Sequence, residues 1–282
     1  MSESEATSAG AAGREGHNLL LRIGAALVLA PLAIAVAYVG GRLWAAFVSL
    51  AAMGLYVEWL TVIAARNLRS LLAGAFVLAA VGWIEAFPTA SRYVAASVVV
   101  GIGLVALFSA NRRAWAVLGI LYALAASLAS IAVRLDQAWG FTALMFVLLV
   151  VWATDIGGYF VGRQIGGPKL WPLVSPKKTW AGAVGGFAAS LAVAVGFAAF
   201  GFGKLAPMLV LGAVFSIISQ LGDLFESSVK RRFGVKDSSH IIPGHGGLMD
   251  RLDSFVAAIV LAAIFGFLRG GADGVGRGLM VW

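Results

Sequence analysis

Apolar positions in this chain run in blocks, without strand-like alternation. Nine blocks, at about 20–41, 43–65, 70–87, 92–110, 114–133, 139–162, 180–202, 205–225 and 252–269, are separated by polar breaks, short except after the sixth and eighth blocks. At about 1.5 Å rise per residue, each is long enough for a hydrocarbon layer of about 30 Å. The pattern predicts an all-α polytopic integral membrane protein with about nine transmembrane helices. It also divides the chain: a polar, disordered tail over 1–18, five spans within 19–138, a second membrane region over 139–270 with substantial loops at 162–179 and 226–251, and a flexible tail over 271–282. The first 18 residues, "MSESEATSAGAAGREGHN", lack the charged start and apolar core of a cleaved secretory signal. The glycine-rich "GGADGVGRG" near the other end reads as flexible chain.

Composition agrees with the blocks. The chain is 61% hydrophobic and 12% charged, with a mean hydropathy of +0.93, outside the range of soluble domains. Zero cysteines exclude disulfides, thiolate metal sites and cysteine nucleophiles. The formal charge of +8 fits loop orientation and anionic headgroups better than a nucleic-acid partner. With a cytoplasmic N-terminus, fifteen of the 21 cations fall on the cytoplasmic side and six on the other, the asymmetry of the positive-inside rule. Both large loops then face the cytoplasm, where nucleotides and magnesium are found.

Ionisable chemistry is concentrated in one of them. "KRRFGVKDSSHIIPGHGGLMDRLD", Lys230 to Asp253, holds Lys230, Arg231, Arg232, Lys236 and Arg251 with Asp237, Asp250 and Asp253, and two of the three histidines, His240 and His245. Asp223 and Glu226 precede it at i, i+3 spacing, repeated by Asp250 and Asp253, so each pair shares a helix face. Acids near membrane depth cost about 2.5–3.5 kcal/mol at the helix centre on insertion scales and mark functional positions. Asp223 and Asp250 point to a hard-cation site such as Mg²⁺ uses. Asp250 and Asp253 are alternatively caps of the ninth helix, and Glu226 pairs with Lys230 at i+4. Gly244, Gly246 and Gly247 around His245 let backbone approach an anion at a helix N-terminus. Together these groups describe a polyphosphate and metal site. Glu58, near the cytoplasmic end of the second block, orients a site cation, pairs with a neighbouring helix or snorkels to the interface. Gly158, Gly162 and Gly166, every fourth residue, predict close helix packing.

The run Ser227, Val229, Lys230, Arg231, Lys236, Asp237, Pro243, His245, Gly246, Gly247, Asp250, Arg251, Asp253 resembles the signature of the phosphatidate cytidylyltransferases, or CDP-diacylglycerol synthases. The segment "DIGGYFVGRQIGGPKLWPLVSPKKTWAG" is similar to the other cytoplasmic segment of that family, with Asp155, Tyr159, Gly162, Arg163 and "SPKKT" in order. One position departs: Ala181 follows Trp180 where the family commonly has Glu. The resemblance implies transfer of the cytidylyl group from CTP to phosphatidate, with release of diphosphate, in phospholipid biosynthesis. It implies catalytic roles for Lys230, Arg231, Lys236, Asp237, His245, Arg251 and Asp253. Nucleotide binding would fall to Ser175, Lys177, Lys178, Thr179, Gly244, Gly246 and Gly247, and Mg²⁺ to Asp223 and Asp250. A second, monovalent cation and a homodimer stay open. The implied location is a bacterial inner membrane, with the active-site loops cytoplasmic and no nucleic-acid partner.

Two other classes fit less well. An ion-coupled transporter places charges at the midplane and shows related halves, and neither is visible. A CDP-alcohol phosphotransferase carries "DGxxAR", which does not occur here; another membrane transferase using CTP or lipid phosphates stays open.

The charge asymmetry makes topology testable on the cysteine-free background. A cysteine replacing Ser175 is expected to react with an impermeant maleimide only from the cytoplasmic face, and one replacing Ala90 only from the opposite face. Labelling of both from one side overturns the assignment.

Overall fold

The computed structural model describes residues 27–85, 93–109, 112–239 and 246–282. The predicted tail over 1–18 and the loop residues His240, Pro243, Gly244 and His245 lie outside them. Ten α-helices occur among the described residues: α1 (Leu27–Val39), α2 (Gly41–Val62), α3 (Leu68–Glu85), α4 (Val94–Phe108), α5 (Arg113–Leu135), α6 (Gly140–Ile165), α7 (Trp180–Ala199), α8 (Leu205–Arg232), α9 (Met249–Gly270) and α10 (Val275–Met280).

Each apolar block contains one of the first nine helices. Six of them, α2 and α5 to α9, are long and apolar enough to cross a membrane, whereas the apolar stretches Leu27–Val39, Leu68–Trp83 and Val94–Phe108 are shorter. The chain is therefore a helical protein with several membrane spans. Large apolar side chains point outward along these helices, including Leu50, Phe76, Leu107, Phe160, Val184, Val210 and Leu268. In water such a surface promotes association; in lipid it is the solvent-facing side.

Inside, two apolar clusters divide the bundle along its length. The first joins the start of α2 to α5, α6, α8 and α9 through Trp44, Phe146, Met208 and Phe215. The second joins the other end of α2 to α3, α4, α5 and α9 through Tyr56, Trp59, Ile120 and Met249. Helix α2 spans both because Trp44, Val48, Leu55 and Trp59 recur at helical spacing on its buried face. Its two buried indoles bond across to α5, Trp44 Nε1 to Ser130 O at 3.0 Å and Trp59 Nε1 to Trp115 O at 2.8 Å. A tryptophan buried in an apolar layer needs such an acceptor.

Helices α6 and α7 approach so closely that small residues are required along their seam. A Cβ on Gly182 would lie 2.7 Å from Gly158 O and 3.2 Å from Gly162 Cα, and one on Gly157 would lie 2.7 Å from Ala189 Cβ. The glycine spacing thus marks packing at Gly158 and Gly162. Gly166 differs: it has φ +67° and no neighbour there, and it ends α6.

One expectation is extended and one is corrected. The loop over 162–179 contains an antiparallel hairpin, β1 (Lys169–Trp171) and β2 (Ser175–Thr179), pairing Lys169 with Thr179 and Trp171 with Ser175. The all-α class therefore carries one small β element. The segment 271–282 is folded where a flexible tail was predicted: a 3₁₀ turn, Ala272–Gly274, leads into α10. Val275, Leu279 and Met280 are buried in the first cluster, and Asp136 Oδ2 accepts the Arg277 N–H at 2.7 Å. The glycines that suggest flexibility instead permit contact, since a Cβ on Gly276 would lie 2.7 Å from Gly140 N.

Leu279 is fully buried, so Leu279→Ala is expected to destabilise the protein by about 2–5 kcal/mol, measured by unfolding in detergent. An unchanged unfolding midpoint would restore the flexible tail.

Candidate active site

The hairpin and four helix ends enclose a cavity of about 920 Å³. Helix α6 contributes Asp155, Tyr159 and Arg163, the hairpin Lys169, Lys177 and Lys178, helix α8 Asp223 and Lys230, and helix α9 Asp250, Arg251 and Asp253. Six cations face four carboxylates, so the lining carries excess positive charge before any substrate enters. Such a lining attracts polyanions.

The last turn of α8 explains why only part of the cationic run reaches this cavity. Successive residues of a helix point about 100° apart, so Lys230, Arg231 and Arg232 diverge. Lys230 turns inward; its Nζ is 2.6 Å from Asp250 Oδ1 and 2.7 Å from Glu226 Oε2. The Glu226 contact is an ion pair without hydrogen-bond alignment. Arg231 instead donates to Val174 O at 3.3 Å and Val235 O at 3.2 Å, and Arg232 stacks over Trp115. Among the residues expected to act here, Lys177, Lys178, Thr179, Asp223, Lys230, Asp250, Arg251 and Asp253 line the cavity. Ser175, Arg231, Lys236, Asp237, Gly246 and Gly247 are not part of its lining, and Gly244 and His245 lie outside the described residues.

The hairpin meets α8 through an ion pair between Lys178 and Asp223, with Ser227 Oγ 3.4 Å from the other Asp223 oxygen. Thr179 caps α7, its Oγ1 accepting the Gly182 N–H at 3.1 Å, a role its residue type favours. The first turn of α7 holds no acidic residue, Ala181 standing there. On α6, Arg163 donates to Tyr159 Oη at 2.9 Å.

Asp250 does more than face the cavity. Besides Lys230, it accepts the Ser238 and Gly247 N–H groups, each at 3.0 Å to Oδ2. It therefore fastens both sides of the second loop while presenting its edge to the cavity. The amides at the start of α9 differ from the expectation of a phosphate-binding helix N-terminus: those of Gly247, Leu248 and Met249 all donate to carboxylates of the protein itself. The Leu248 and Met249 acceptors belong to Glu58, on α2, which no sequence motif associates with this loop.

The carboxylates suit a hard divalent cation. Among the described residues no group of three metal-ligating side chains lies at ligand spacing. Mg²⁺ usually takes one or two carboxylates, keeps several waters and completes its shell with substrate phosphates. Asp223 from α8 and Asp250 and Asp253 from α9 supply such oxygens on a shared cavity, so the donor set fits.

Comparison with known proteins agrees with this chemistry. The Cytidylyltransferase family pattern matches residues 20–268. The chain belongs to this family. It is 40% identical over 255 residues to the phosphatidate cytidylyltransferase of Brucella suis biovar 1 (strain 1330), covering 88% of this chain and 93% of that relative. The protein of the same name from Staphylococcus saprophyticus subsp. saprophyticus is 48% identical over 123 residues, 43% of this chain and 47% of that protein. Cytidylyltransferase membership gives the excess of cavity cations a purpose, since a nucleoside triphosphate is itself a polyanion.

Lys230 holds two carboxylates, so Lys230→Met leaves both without their counter-charge and is expected to cost about 3–5 kcal/mol of stability. Glu226→Gln removes one acceptor and keeps the Asp250 contact; it should destabilise less and reduce turnover by less than about tenfold. Unfolding in detergent and steady-state rates for both variants decide the order, and a reversed order removes Lys230 from its central place.

Proposed function

We propose that this chain condenses CTP with phosphatidate, forming CDP-diacylglycerol and diphosphate for phospholipid synthesis, in a cavity on the cytoplasmic side of a bacterial inner membrane. The observation that carries this is the single cavity shared by Lys177, Lys178, Lys230 and Arg251 with Asp223, Asp250 and Asp253. The Brucella relative bears the name of this activity and aligns over most of both chains.

A phosphate oxygen of the lipid attacks the α-phosphorus of CTP, and the bond from that phosphorus to the β-phosphate bridging oxygen breaks. The electron pair leaves with diphosphate. The lipid phosphate is already ionised, so no side chain needs to remove a proton from it. The chain's task is to bring two polyanions into line and neutralise them. Lys177 and Lys178 on the hairpin suit the triphosphate, and Lys230 and Arg251 suit the charge at the reacting centre. A divalent cation such as Mg²⁺, held by Asp223 and Asp250 with Asp253 beside them, would neutralise the reacting and departing phosphate oxygens. Tyr159 and Arg163 on α6 complete the wall of the cavity. The hairpin and both loops face the cytoplasm in this assignment, with about nine membrane-spanning helices in all.

Purified protein in detergent is expected to release diphosphate only when CTP, phosphatidate and a divalent metal are all present, with CDP-diacylglycerol followed by chromatography. Turnover without lipid phosphate would overturn the reaction, and full activity in excess chelator would overturn the metal. Asp223→Asn should lower kcat/KM by about 100-fold or more at limiting metal; near-parental activity there would remove Asp223 from the metal site.

A further inference from the structure

Glu58 lies on α2, far in sequence from either cytoplasmic loop, and is 1% exposed. Its carboxylate is fully engaged by the second loop. Oε1 accepts from Ser239 Oγ at 2.5 Å and from the Leu248 N–H at 2.8 Å. Oε2 accepts from the Met249 N–H at 2.6 Å and lies 2.9 Å from Ser238 Oγ. That hydroxyl is also 3.0 Å from Asp250 Oδ2, so one proton is shared between Glu58 and a carboxylate of the cavity.

The need for an outside acceptor follows from the sequence at the start of α9. Four N–H groups are left without intrahelical partners at any helix start, and a Ser, Thr, Asp or Asn at the N-cap usually takes one or two. Here the N-cap is Leu248, with no side-chain cap. Glu58 and Asp250 supply the acceptors instead, and both place negative charge at the positive pole of the helix. Contact is close on the α2 side as well: a Cβ on Gly247 would lie 2.7 Å from Glu58 Oε2, and one on Gly54, a turn before Glu58, would lie 2.7 Å from Leu248 Cδ2.

We infer that Glu58 is a positioning residue for cytidylyl transfer: it clamps Ser238 and Ser239 to the first turn of α9 and thereby sets where Asp250, Arg251 and Asp253 stand in the cavity. This rests on the function proposed above. The geometry distinguishes it from a simple packing role, because its hydrogen bonds end one residue from Asp250 and share the Ser238 proton with it. A carboxylate is also required at this point. In Glu58→Gln only one oxygen still accepts, and the amide NH₂ meets the Met249 N–H donor to donor.

The test uses the full-length protein in detergent, with diphosphate release measured against CTP, phosphatidate and Mg²⁺, and unfolding followed in parallel. Glu58→Gln is expected to lower kcat per folded molecule by about 10- to 100-fold, the usual cost of losing a supporting contact behind a ligand. The Mg²⁺ concentration for half-maximal rate should rise, while KM for CTP changes less than about threefold. Ser238→Ala should lower kcat in the same direction, and the double variant should lose less than the product of the two single losses, because both act through one shared contact. Glu58→Gln with parental kcat and Mg²⁺ requirement overturns the inference. So does a lower unfolding midpoint with unchanged turnover per folded molecule, or strictly multiplicative losses. Should Glu58→Gln not survive purification, Ser238→Ala and Ser239→Ala, which leave the carboxylate in place, carry the same kcat and Mg²⁺ readouts. A parent protein that makes no CDP-diacylglycerol would instead refute the proposed function.

Discussion

A lysine ammonium buried at the end of an apolar helix needs opposite charge beside it, and Lys230, which is buried, meets two carboxylates. One, Glu226, comes from the preceding turn of the same helix; the other, Asp250, comes from the next helix. The second contact therefore fixes the distance between α8 and α9, and with it the width of the cavity. Asp250 in turn gathers Ser238 and Gly247, so the loop between the helices is tied to the same charge. Removing Lys230 would leave both carboxylates in an apolar surrounding in which unpaired charge is costly.

The sequence carried much of this directly. Helical blocks were readable because lipid demands long uninterrupted apolar runs. Lys230, Asp223, Asp250 and Asp253 stood out because charge at membrane depth is rare. The Glu226–Lys230 pair followed from i, i+4 spacing alone. Arg231 was harder to judge: adjacent residues in a helix share no direction, and a cationic run says nothing of which member faces a ligand. Glu58 is visible as an acid inside the second apolar block, but its partners lie 180 to 191 residues away, beyond any local pattern. A weak signal did exist in Leu248, a poor N-cap that implies an acceptor from elsewhere.

The tail was misjudged for a related reason. Glycine-rich composition has two physical meanings, chain freedom and the absence of a side chain at a close contact. Gly276 and Gly278 belong to the second, since added side chains would meet the backbones of α6 and α9. The same ambiguity divides Gly166 from Gly158 and Gly162, which share a spacing but do different work. Composition supplies the residue, and only the neighbouring helix decides between the two.

Because α10 fills the first apolar cluster, helices made earlier in the chain wait for residues made later to complete their packing. Val275, Leu279 and Met280 follow α6 by the whole of α7, α8 and α9, and reach their places only after those helices have been synthesised. Until then α6 and α9 are left with an unfilled apolar groove. Assembly of the bundle is therefore completed by α10 closing onto helices synthesised before it.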